Sequence, residues 1–398
     1  MRRVAIVSPL RTPVGAFGGA LQPVSVEDLA TTVVKAVVER TRVDPERIGD
    51  VCFSQSYSNS EVPCVGRWVA LNAGLPVGIP GLQVDRRCGG GLTALAIGAM
   101  EIQTGVADVV LAGGVESMSN VERYANGTRW GQKSGDIVLH DRLDRGRERS
   151  QPVWRFGHIS GMIETAENLA KRYGISREAA DEFAARSQQR AASAWESGAF
   201  TDEVVQVEVP QRRGDPVVVE RDEGVRPGTT PETLAGLRPV FPDGTVTAGN
   251  AAQQNDAAAA YLLVAEDALE ELDLEPMAYL VGWAAAGCEP ATMGIGPVPA
   301  VAKLFARTGH SLDQMDLIEI NEAFAAQVLS VLAEWGWNDP DRLNVNGSGI
   351  SLGHPVGATG GRILATMLHE LRRRGARLAL ETMCVGGGQG VAALFELA

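Results

Sequence analysis

Two blocks of the sequence share one order of features, and this internal repeat constrains the fold more than any other feature. LQVDRRCGGGLTALAIGAM (82–100) is typical of a strand, a glycine turn and an apolar helix, and ADVVLAGGVES (107–117) of the next strand. LNVNGSGISLGHPVGATGGRILATMLHEL (343–371) and ARLALETMCVGGGQG (376–390) repeat that order. Repeated supersecondary units indicate repeated domains, so the blocks predict two similar α/β domains packed together. Chance recurrence of common α/β patterns is the alternative.

The region between the two blocks has a different pattern. It holds an arginine-rich stretch (141–155), a helical region (163–196) and two short alternating segments (204–210 and 216–223). We interpret it as an insertion carried by the first α/β unit. The predicted domains are residues 1–118 with 248–276, an inserted loop domain at 119–247, and residues 277–398. At the N-terminus, VAIV (4–7) predicts a buried strand, and residues 26–40 predict a helix capped by Ser25.

Composition excludes several classes of function. The chain has 398 residues and a formal net charge of −13, which argues against nucleic acid or an anionic membrane as the main partner. No run approaches the roughly 18 apolar residues of a membrane span, and the apolar run near the N-terminus is too short for a secretory signal. The five cysteines are sparse and lack metal-ligand spacing. We therefore expect reduced thiols, a cytoplasmic location and no metal.

Cys88 stands between a predicted strand and a predicted helix, and three glycines follow it. A helix start carries partial positive charge and free N–H groups, which lower the pKa of a thiol and favour the nucleophilic thiolate. The glycines would let a substrate approach closely. The alternative is a buried structural cysteine in a tight turn.

A histidine and a second cysteine occupy similar settings in the second block. His354 lies between Gly353 and Pro355 in a glycine-rich loop, and the proline restricts its backbone. A histidine held in place in this way is suited to act as a general base. Cys384 ends a strand and precedes another glycine triplet. Two thiols and one imidazole suit a reaction with a nucleophile and a separate acid/base. A structural histidine and a disulfide between the two cysteines are the alternatives.

Asn321 follows a predicted strand and precedes an apolar helix in IEINEAFAAQVLS (318–330). Its amide suits binding of an oxyanion, directly or through a held water. Helix capping is the alternative, because asparagine caps helices well.

Together these stretches resemble the thiolase family of acyl-CoA C-acyltransferases, and the resemblance runs over essentially the whole chain. Besides the four catalytic blocks in order, it rests on further matching segments. These are RTPVGAFGG (11–19), AGGVESMS (112–119), ETAENLA (164–170), SQQRA (187–191), GTVTAGN (244–250) and MGIGPVPA (293–300). The resemblance implies a duplicated five-layer α-β-α-β-α sandwich with an inserted loop domain over CoA.

The resemblance also implies a role for each catalytic residue. Cys88 would take the acyl group, and His354 would activate it and help bind the thioester oxygen. Cys384 would be the acid/base at the α-carbon, and Asn321 would hold a water beside His354. The N–H groups of Cys88 and Gly386 would bind the acyl-enzyme carbonyl. The reaction would be reversible thiolysis of 3-ketoacyl-CoA, as in fatty acid β-oxidation, or the reverse condensation, with CoA and acyl-CoA as substrates and no permanently bound cofactor.

The resemblance also implies contacts with the CoA and acyl parts of the substrate. Arg226 matches a position beside the adenine, Met162 and Met293 match the pantetheine path, and Phe324 matches the acyl end. Five arginines in 142–155 could meet CoA phosphates, although a solvated loop or an oligomer contact is the favoured interpretation. The family favours homodimers and homotetramers.

The chain departs from the family pattern at three positions near the substrate. Gly90 and Ala252 stand where relatives have serine, and Gly161 where many have histidine. The last two changes predict a pocket for 3-ketoacyl-CoAs longer than acetoacetyl-CoA, and we expect Gly90→Ser to retain activity. An acetoacetyl-CoA-specific acetyltransferase, a ketoacyl synthase and a non-catalytic acyl-CoA or lipid carrier are the alternatives.

Overall fold

The computed structural model describes residues 1–398 as a mixed α/β protein. The strands are β1 (Val4–Arg11), β2 (Gly15–Ala16), β3 (Ile48–Ser54), β4 (Leu82–Val84), β5 (Val109–Ser117), β6 (Arg123–Tyr124), β7 (His140–Asp141), β8 (Val207–Val209), β9 (Val217–Val219), β10 (Asn255–Ala265), β11 (Ala278–Gly287), β12 (Leu317–Ile320), β13 (Leu378–Val385) and β14 (Gln389–Leu397). The helices are α1 (Val26–Thr41), α2 (Val65–Asn72), α3 (Gly90–Thr104), α4 (Arg142–Glu148), α5 (Val153–Phe156), α6 (Met162–Tyr173), α7 (Arg177–Glu196), α8 (Pro231–Ala235), α9 (Pro297–Thr308), α10 (Ala325–Trp335) and α11 (Thr359–Arg374).

The sheet repeats one topology in the two halves of the chain. In the first half the order is β3-β5-β10-β1, with β3 and β5 parallel and the other neighbours antiparallel. In the second half the order is β12-β13-β14-β11, with the same pattern of directions. A short antiparallel ladder between β1 and β11 joins the two sets. The predicted duplication is therefore confirmed, and chance recurrence is excluded.

Helices α3 and α11 are the counterparts that follow the two glycine loops, and they lie against each other. Each also packs on the strands of its own half, so together they form the middle layer between the two halves of the sheet. Helices α1 and α2 cover strands of the first half, and α9 covers strands of the second. This is the predicted α-β-α-β-α arrangement.

Several local predictions are confirmed, and two need correction. Ser25 caps α1, with its hydroxyl accepting a hydrogen bond from the Asp28 N–H at 3.2 Å. The helical region at 163–196 is two helices, because the chain turns at Gly174, whose φ is +64°. The predicted strand at 343–346 is reduced to single bridges, one of which pairs Leu343 with Ile318 in parallel. That bridge is the counterpart of the β3–β4 pairing in the first half.

A buried ion cluster joins β1 to the segment that follows α7. Arg11 is fully buried, and its guanidinium lies 2.6 Å from Glu203 Oε1 and 2.7 Å from Asp222 Oδ1. Burial lowers the pKa of Arg11, but the two carboxylates outweigh it and raise this pKa, so the guanidinium stays charged. The pairing satisfies charges whose unpaired burial would be costly. It fixes the inserted region against the first α/β unit, while the exact domain boundaries stay a prediction. No helix combines the length and the apolar surface needed to cross a membrane.

Candidate active site

Cys88 sits in a single helical turn (Arg87–Gly89) immediately before α3, as the sequence predicts. The side chain is half-buried and packs on an apolar cluster of Tyr57, Met118, Leu143 and Val356. The expected lowering of the thiol pKa is wrong. Burial raises the pKa of Cys88, and the Gly386 N–H and the Arg87 charge oppose this rise without cancelling it. The thiol is therefore protonated at neutral pH and needs a base to become nucleophilic.

The three glycines after Cys88 serve packing and do not open space for substrate. A Cβ at Gly89 would lie 2.8 Å from methyl groups of both Val385 and Val391. A Cβ at Gly91 would lie 2.9 Å from the Gly361 backbone nitrogen, at the point where α3 meets α11. None of the three lines the cavity beside Cys88. The glycines instead allow the turn that holds Cys88 to sit directly on β13, β14 and α11.

The Gly90 position implies a cost in stability for its serine variant, whose retained activity stays a prediction. A Cβ there would overlap the Ser54 hydroxyl and lie 3.1 Å from the Ser54 Cβ. Overpacking of this kind typically costs about 1–3 kcal/mol. We expect Gly90→Ser to lower the free energy of unfolding by that amount in urea titrations, and Ser54→Gly in the same chain to restore most of it. Gly78→Ser, at a position with no atom within 4 Å of the added Cβ, is the control. Full stability of Gly90→Ser would contradict this account.

His354 is 8% exposed and is held by hydrogen bonds on its backbone and ring. Its N–H donates to Asn255 Oδ1 at 2.8 Å, and Nδ1 lies 2.6 Å from Thr359 Oγ1. Thr359 gives its own proton to the Pro355 carbonyl at 2.8 Å, so its oxygen accepts the Nδ1–H. Nε2 is then the unprotonated nitrogen of the neutral ring. Burial, with the nearby charges of Arg362 and Arg147, lowers the pKa of His354 to about 3 and keeps the ring neutral.

Asn321 does not cap the helix that follows it. Helix α10 begins after Phe324 and has no side-chain cap. The fully buried Asn321 carboxamide has its nitrogen 3.4 Å from His354 Nδ1, and its oxygen has no hydrogen-bond partner. A buried polar atom without a partner is uncommon and is typical of a site for a held water or a ligand. The helix-capping alternative is therefore excluded.

Cys384 ends β13 and is fully buried among apolar side chains that include Met293, Ala323 and Phe324. Burial raises the pKa of this thiol well above its ordinary value, and the neighbouring thiols Cys88 and Cys288 raise it further. All five cysteines are free, so the disulfide alternative is excluded. Gly386, two residues further on, lines the same cavity as Cys88, and its backbone N–H opposes the rise in the pKa of that thiol.

A cavity of about 430 Å³ brings most of the predicted residues together. Its wall includes Cys88, His354, Gly386, Met162, Met293, Ala252 and Phe324. Asn321 and Cys384 lie buried directly behind this wall, next to His354 and Phe324 respectively. Arg226 is exposed and is not part of the wall; its backbone N–H donates to Gln188 Oε1 at 2.7 Å. Its predicted contact with adenine stays a prediction.

Sequence reasoning missed several residues of the wall. Tyr57, Arg87, Met118 and Arg147 all face the cavity. Arg87 and Met118 lay in segments singled out from the sequence, but neither residue was assigned a role there. Arg147 lay in the arginine-rich stretch, and the arginines of that stretch differ in their contacts. Arg142 pairs with Glu122, whereas Arg147 faces the cavity, so no single role describes the cluster.

Glu116 is another residue of the site that the sequence did not reveal, and its buried carboxylate links two loops. Its carboxylate accepts hydrogen bonds from the N–H groups of Ser56, Tyr57 and Gly357, at 2.9–3.1 Å. These bonds tie the Tyr57 loop to the His354 loop. Burial raises the pKa of Glu116 to about 7.

Two protein-family models together match nearly the whole chain. The model of the thiolase N-terminal domain matches residues 4–267, and that of the thiolase C-terminal domain matches residues 274–397. The chain belongs to the thiolase family. A *Thiocystis violacea* protein named acetyl-CoA acetyltransferase is 45% identical over 394 residues, covering 99% of this chain and 98% of the relative. A *Staphylococcus aureus* protein named probable acetyl-CoA acyltransferase is 42% identical, covering 99% of each chain.

Solved thiolase structures agree in fold over the full length. The *Bacillus anthracis* acetyl-CoA acetyltransferase has a TM-score of 0.96 at 43% identity, covering 100% of this chain and 99% of that one. Human mitochondrial 3-ketoacyl-CoA thiolase in complex with CoA has a TM-score of 0.93 at 41% identity, covering 100% and 98%. These neighbours confirm the thiolase fold predicted from the sequence.

Proposed function

We propose that this thiolase is an acyltransferase that cleaves 3-ketoacyl-CoA with CoA, through an acyl thioester on Cys88. The observation that carries the proposal is that Cys88 and Gly386 line one cavity whose wall also holds a neutral His354, oriented by Thr359. A ketoacyl synthase, which pairs its cysteine with two histidines, is not favoured, because Asn321 and Cys384 occupy the remaining positions around the site.

The first half of the reaction forms the acyl-enzyme. His354 Nε2 takes the Cys88 proton, and the thiolate attacks the keto carbon of the substrate. The bond between the keto carbon and the α-carbon breaks, its electron pair stays on the α-carbon, and the Cys384 S–H protonates that carbon to give acetyl-CoA. The N–H groups of Cys88 and Gly386 hold the acyl-enzyme carbonyl oxygen, an arrangement in which each donor is typically worth about 2.7–4 kcal/mol.

The second half releases the shortened acyl group. The proton on His354 first passes to the Cys384 thiolate, which resets both groups. A CoA thiol then gives up its proton to His354 and attacks the thioester carbon, and Cys88 leaves as the thiolate and takes that proton back.

During the first half, Asn321 supports the negative charge that develops on the thioester oxygen of acetyl-CoA, through a water. Its unpartnered oxygen accepts one proton of that water, and the second O–H is free to point at the substrate oxygen beside His354.

The pH dependence of acylation follows from the pKa of His354. A base with its pKa lowered to about 3 stays deprotonated throughout the neutral and mildly acidic range. We expect the rate of acetyl-Cys88 formation from acetyl-CoA to change less than about threefold between roughly pH 7.5 and 5.5, by rapid-quench mass spectrometry. An ordinary histidine, with a pKa near 6.5, would lose about tenfold over this range as it gains a proton. A loss of that size would show that His354 is not held neutral.

We further propose that the pocket favours acyl groups longer than acetoacetyl. Ala252 lines the cavity without a hydroxyl, and a Cβ at Gly161 would meet only the Arg147 Cβ, at 3.8 Å, so both positions leave room. The names of the acetyl-CoA acetyltransferase relatives favour the second candidate, an acetoacetyl-CoA specialist. The test is kcat/KM for thiolysis over a series of 3-ketoacyl-CoA lengths. A value for acetoacetyl-CoA equal to or above those of the medium-chain substrates would favour the specialist.

We propose a homodimer or homotetramer in the cytoplasm. Strand β4 forms one end of the sheet and leaves one edge unpaired, an arrangement that suits pairing with a second copy. The segment around β7 exposes Trp130, Ile137, Val138, Leu139 and Trp154, which supports a further contact. Free cysteines suit a reducing compartment. Light scattering of the purified protein tests the assembly, and a monomer at micromolar concentration would contradict it.

A further inference from the structure

The cavity carries two guanidinium groups that the proposed reaction does not use. Arg87 and Arg147 both line its wall beside Tyr57. A Cβ at Gly146 would lie 3.3 Å from Arg87 Nη1 and 3.3 Å from Tyr57 Cε1. The Arg87 guanidinium and the Tyr57 ring therefore approach the same point, and Tyr57 belongs to the cluster that packs on Cys88. A positively charged group lies directly beside the nucleophile.

The Arg87 guanidinium has no partner in the protein. The hydrogen bonds of Arg87 are made by its backbone, including those to Asp85 Oδ1 and Ser56 Oγ. The other charges of the wall are compensated. Arg147 lies 3.2 Å from Asp144, and Glu148 lies 3.5 Å from Arg145. A guanidinium that faces the cavity without an acceptor in the protein is free to pair with an anion that enters the cavity.

Tyr57 offers a second unused donor at the same place. The residue is 7% exposed, its hydroxyl makes no hydrogen bond to the protein, and it lines the cavity. The hydroxyl opens onto the cavity, so it is free to donate a hydrogen bond to a ligand atom there. Burial raises the pKa of Tyr57, which keeps the phenol protonated and able to donate.

The position of these donors identifies the part of the substrate that they meet. Arg87 is the residue immediately before Cys88, where the acyl carbon becomes bonded. The pantetheine arm holds the phosphates of CoA far from its thioester, so they lie outside the reach of a side chain next to the nucleophile. The anion must therefore belong to the acyl group. A carboxylate fits, because a guanidinium binds its two oxygens in parallel.

We propose that Arg87 and Tyr57 bind a carboxylate at the far end of the acyl group, so that the preferred substrates are 3-ketoacyl-CoA thioesters of dicarboxylic acids. This inference rests on the proposed thiolase reaction and names its substrate class. It agrees with a pocket larger than acetoacetyl-CoA requires.

The experiment compares thiolysis of matched substrates by the full-length enzyme. The pairs are 3-oxoadipoyl-CoA with 3-oxohexanoyl-CoA, and 3-oxosuberoyl-CoA with 3-oxooctanoyl-CoA, which differ only in the terminal carboxylate. We expect the ratio of kcat/KM, dicarboxylic over neutral, to exceed about tenfold for at least one pair, the size of one charge-assisted hydrogen bond. A ratio at or below one for both pairs would overturn the inference.

Variants of Arg87 and Tyr57 test whether these two residues cause the preference for dicarboxylic substrates. Arg87→Leu should lower the ratio by about tenfold to a hundredfold, and Arg87→Lys should lower it less, because a lysine keeps the charge but loses the paired contact. Tyr57→Phe, which removes only the hydroxyl, should lower the ratio without disturbing the fold. Arg149→Leu, at an exposed arginine outside the cavity wall, is the matched control and should leave the ratio unchanged.

The outcomes separate the inference from the reaction on which it rests. Cleavage of neutral substrates at a rate equal to or above that of their dicarboxylic partners would overturn the carboxylate site and leave the thiolase reaction standing. An unchanged ratio in both Arg87→Leu and Tyr57→Phe would also overturn the site. Failure to cleave any of the four thioesters, with no acyl group on Cys88, would instead overturn the proposed reaction.

Discussion

Replacement of Cys88 by alanine is expected to lower kcat for thiolysis by at least about 10⁴-fold, since the variant has no atom that can carry the acyl group. The side chain is small and half-buried, so the fold should persist and circular dichroism should be unchanged. Incubation of the wild-type protein with acetyl-CoA should add one acetyl group at Cys88, which CoA then removes. The variant should show no adduct.

The exposed thiol provides the matched control for this experiment. Cys64 lies at the start of α2, where its sulfur donates to the Gly81 carbonyl at 3.3 Å. Cys64→Ser keeps that donor, and its kcat should stay within about twofold of the wild-type value. An acetyl group on another cysteine, or activity of Cys88→Ala within tenfold of the wild type, would contradict the assignment. No adduct on the wild-type protein would favour the non-catalytic acyl-CoA carrier.

Replacement of Cys384 by alanine is expected to block cleavage of the carbon–carbon bond and to leave acetyl transfer to Cys88 intact. The variant lacks the acid that protonates the α-carbon, and loss of a general acid/base typically lowers the rate by about 10²–10⁴-fold. Thiolysis of 3-ketoacyl-CoA and condensation of acetyl-CoA should both fall by this factor. Transfer of an acetyl group between acetyl-CoA and Cys88 breaks no carbon–carbon bond, so the adduct should still form.

Cys288→Ala is the control for Cys384, because it removes a neighbouring, partly buried thiol that is not assigned to the reaction. Its effect on thiolysis should be less than about threefold. If Cys384→Ala abolishes the acetyl adduct together with cleavage, the cysteine supports the whole site and is not the specific acid/base. If cleavage persists at the wild-type rate, another group protonates the α-carbon.

The sequence alone was sufficient to predict the strands, helices and turns that depend on a local residue pattern. The strands and helices on either side of Cys88 and Cys384 have distinct apolar runs and glycine turns, and the structure contains them. The strand predicted at 343–346 failed because its backbone pairs with Ile318 by a single bridge. Its apolar pattern could not show how far that pairing extends.

The remaining features depend on contacts between distant parts of the chain. The lowered pKa of His354 arises from burial and from Arg362 and Arg147, none of which can be read from the local motif. The glycines after Cys88 resembled an open substrate path, but their neighbours are Ser54, Val385 and the start of α11. Arg87 was visible in the sequence, but only the folded cavity shows that its guanidinium has no partner.

The contact between the starts of α3 and α11 has a consequence for how such a site arises. The two helices occupy equivalent places in the duplicated halves, and one begins beside Cys88 and the other beside His354. Two identical polypeptides in this arrangement would carry the same residue at both helix starts. Fusion of the copies into one chain removes that symmetry, because each start can then mutate separately. In the proposed reaction one start carries the nucleophile and the other its base, so neither half holds a complete set of reactive groups.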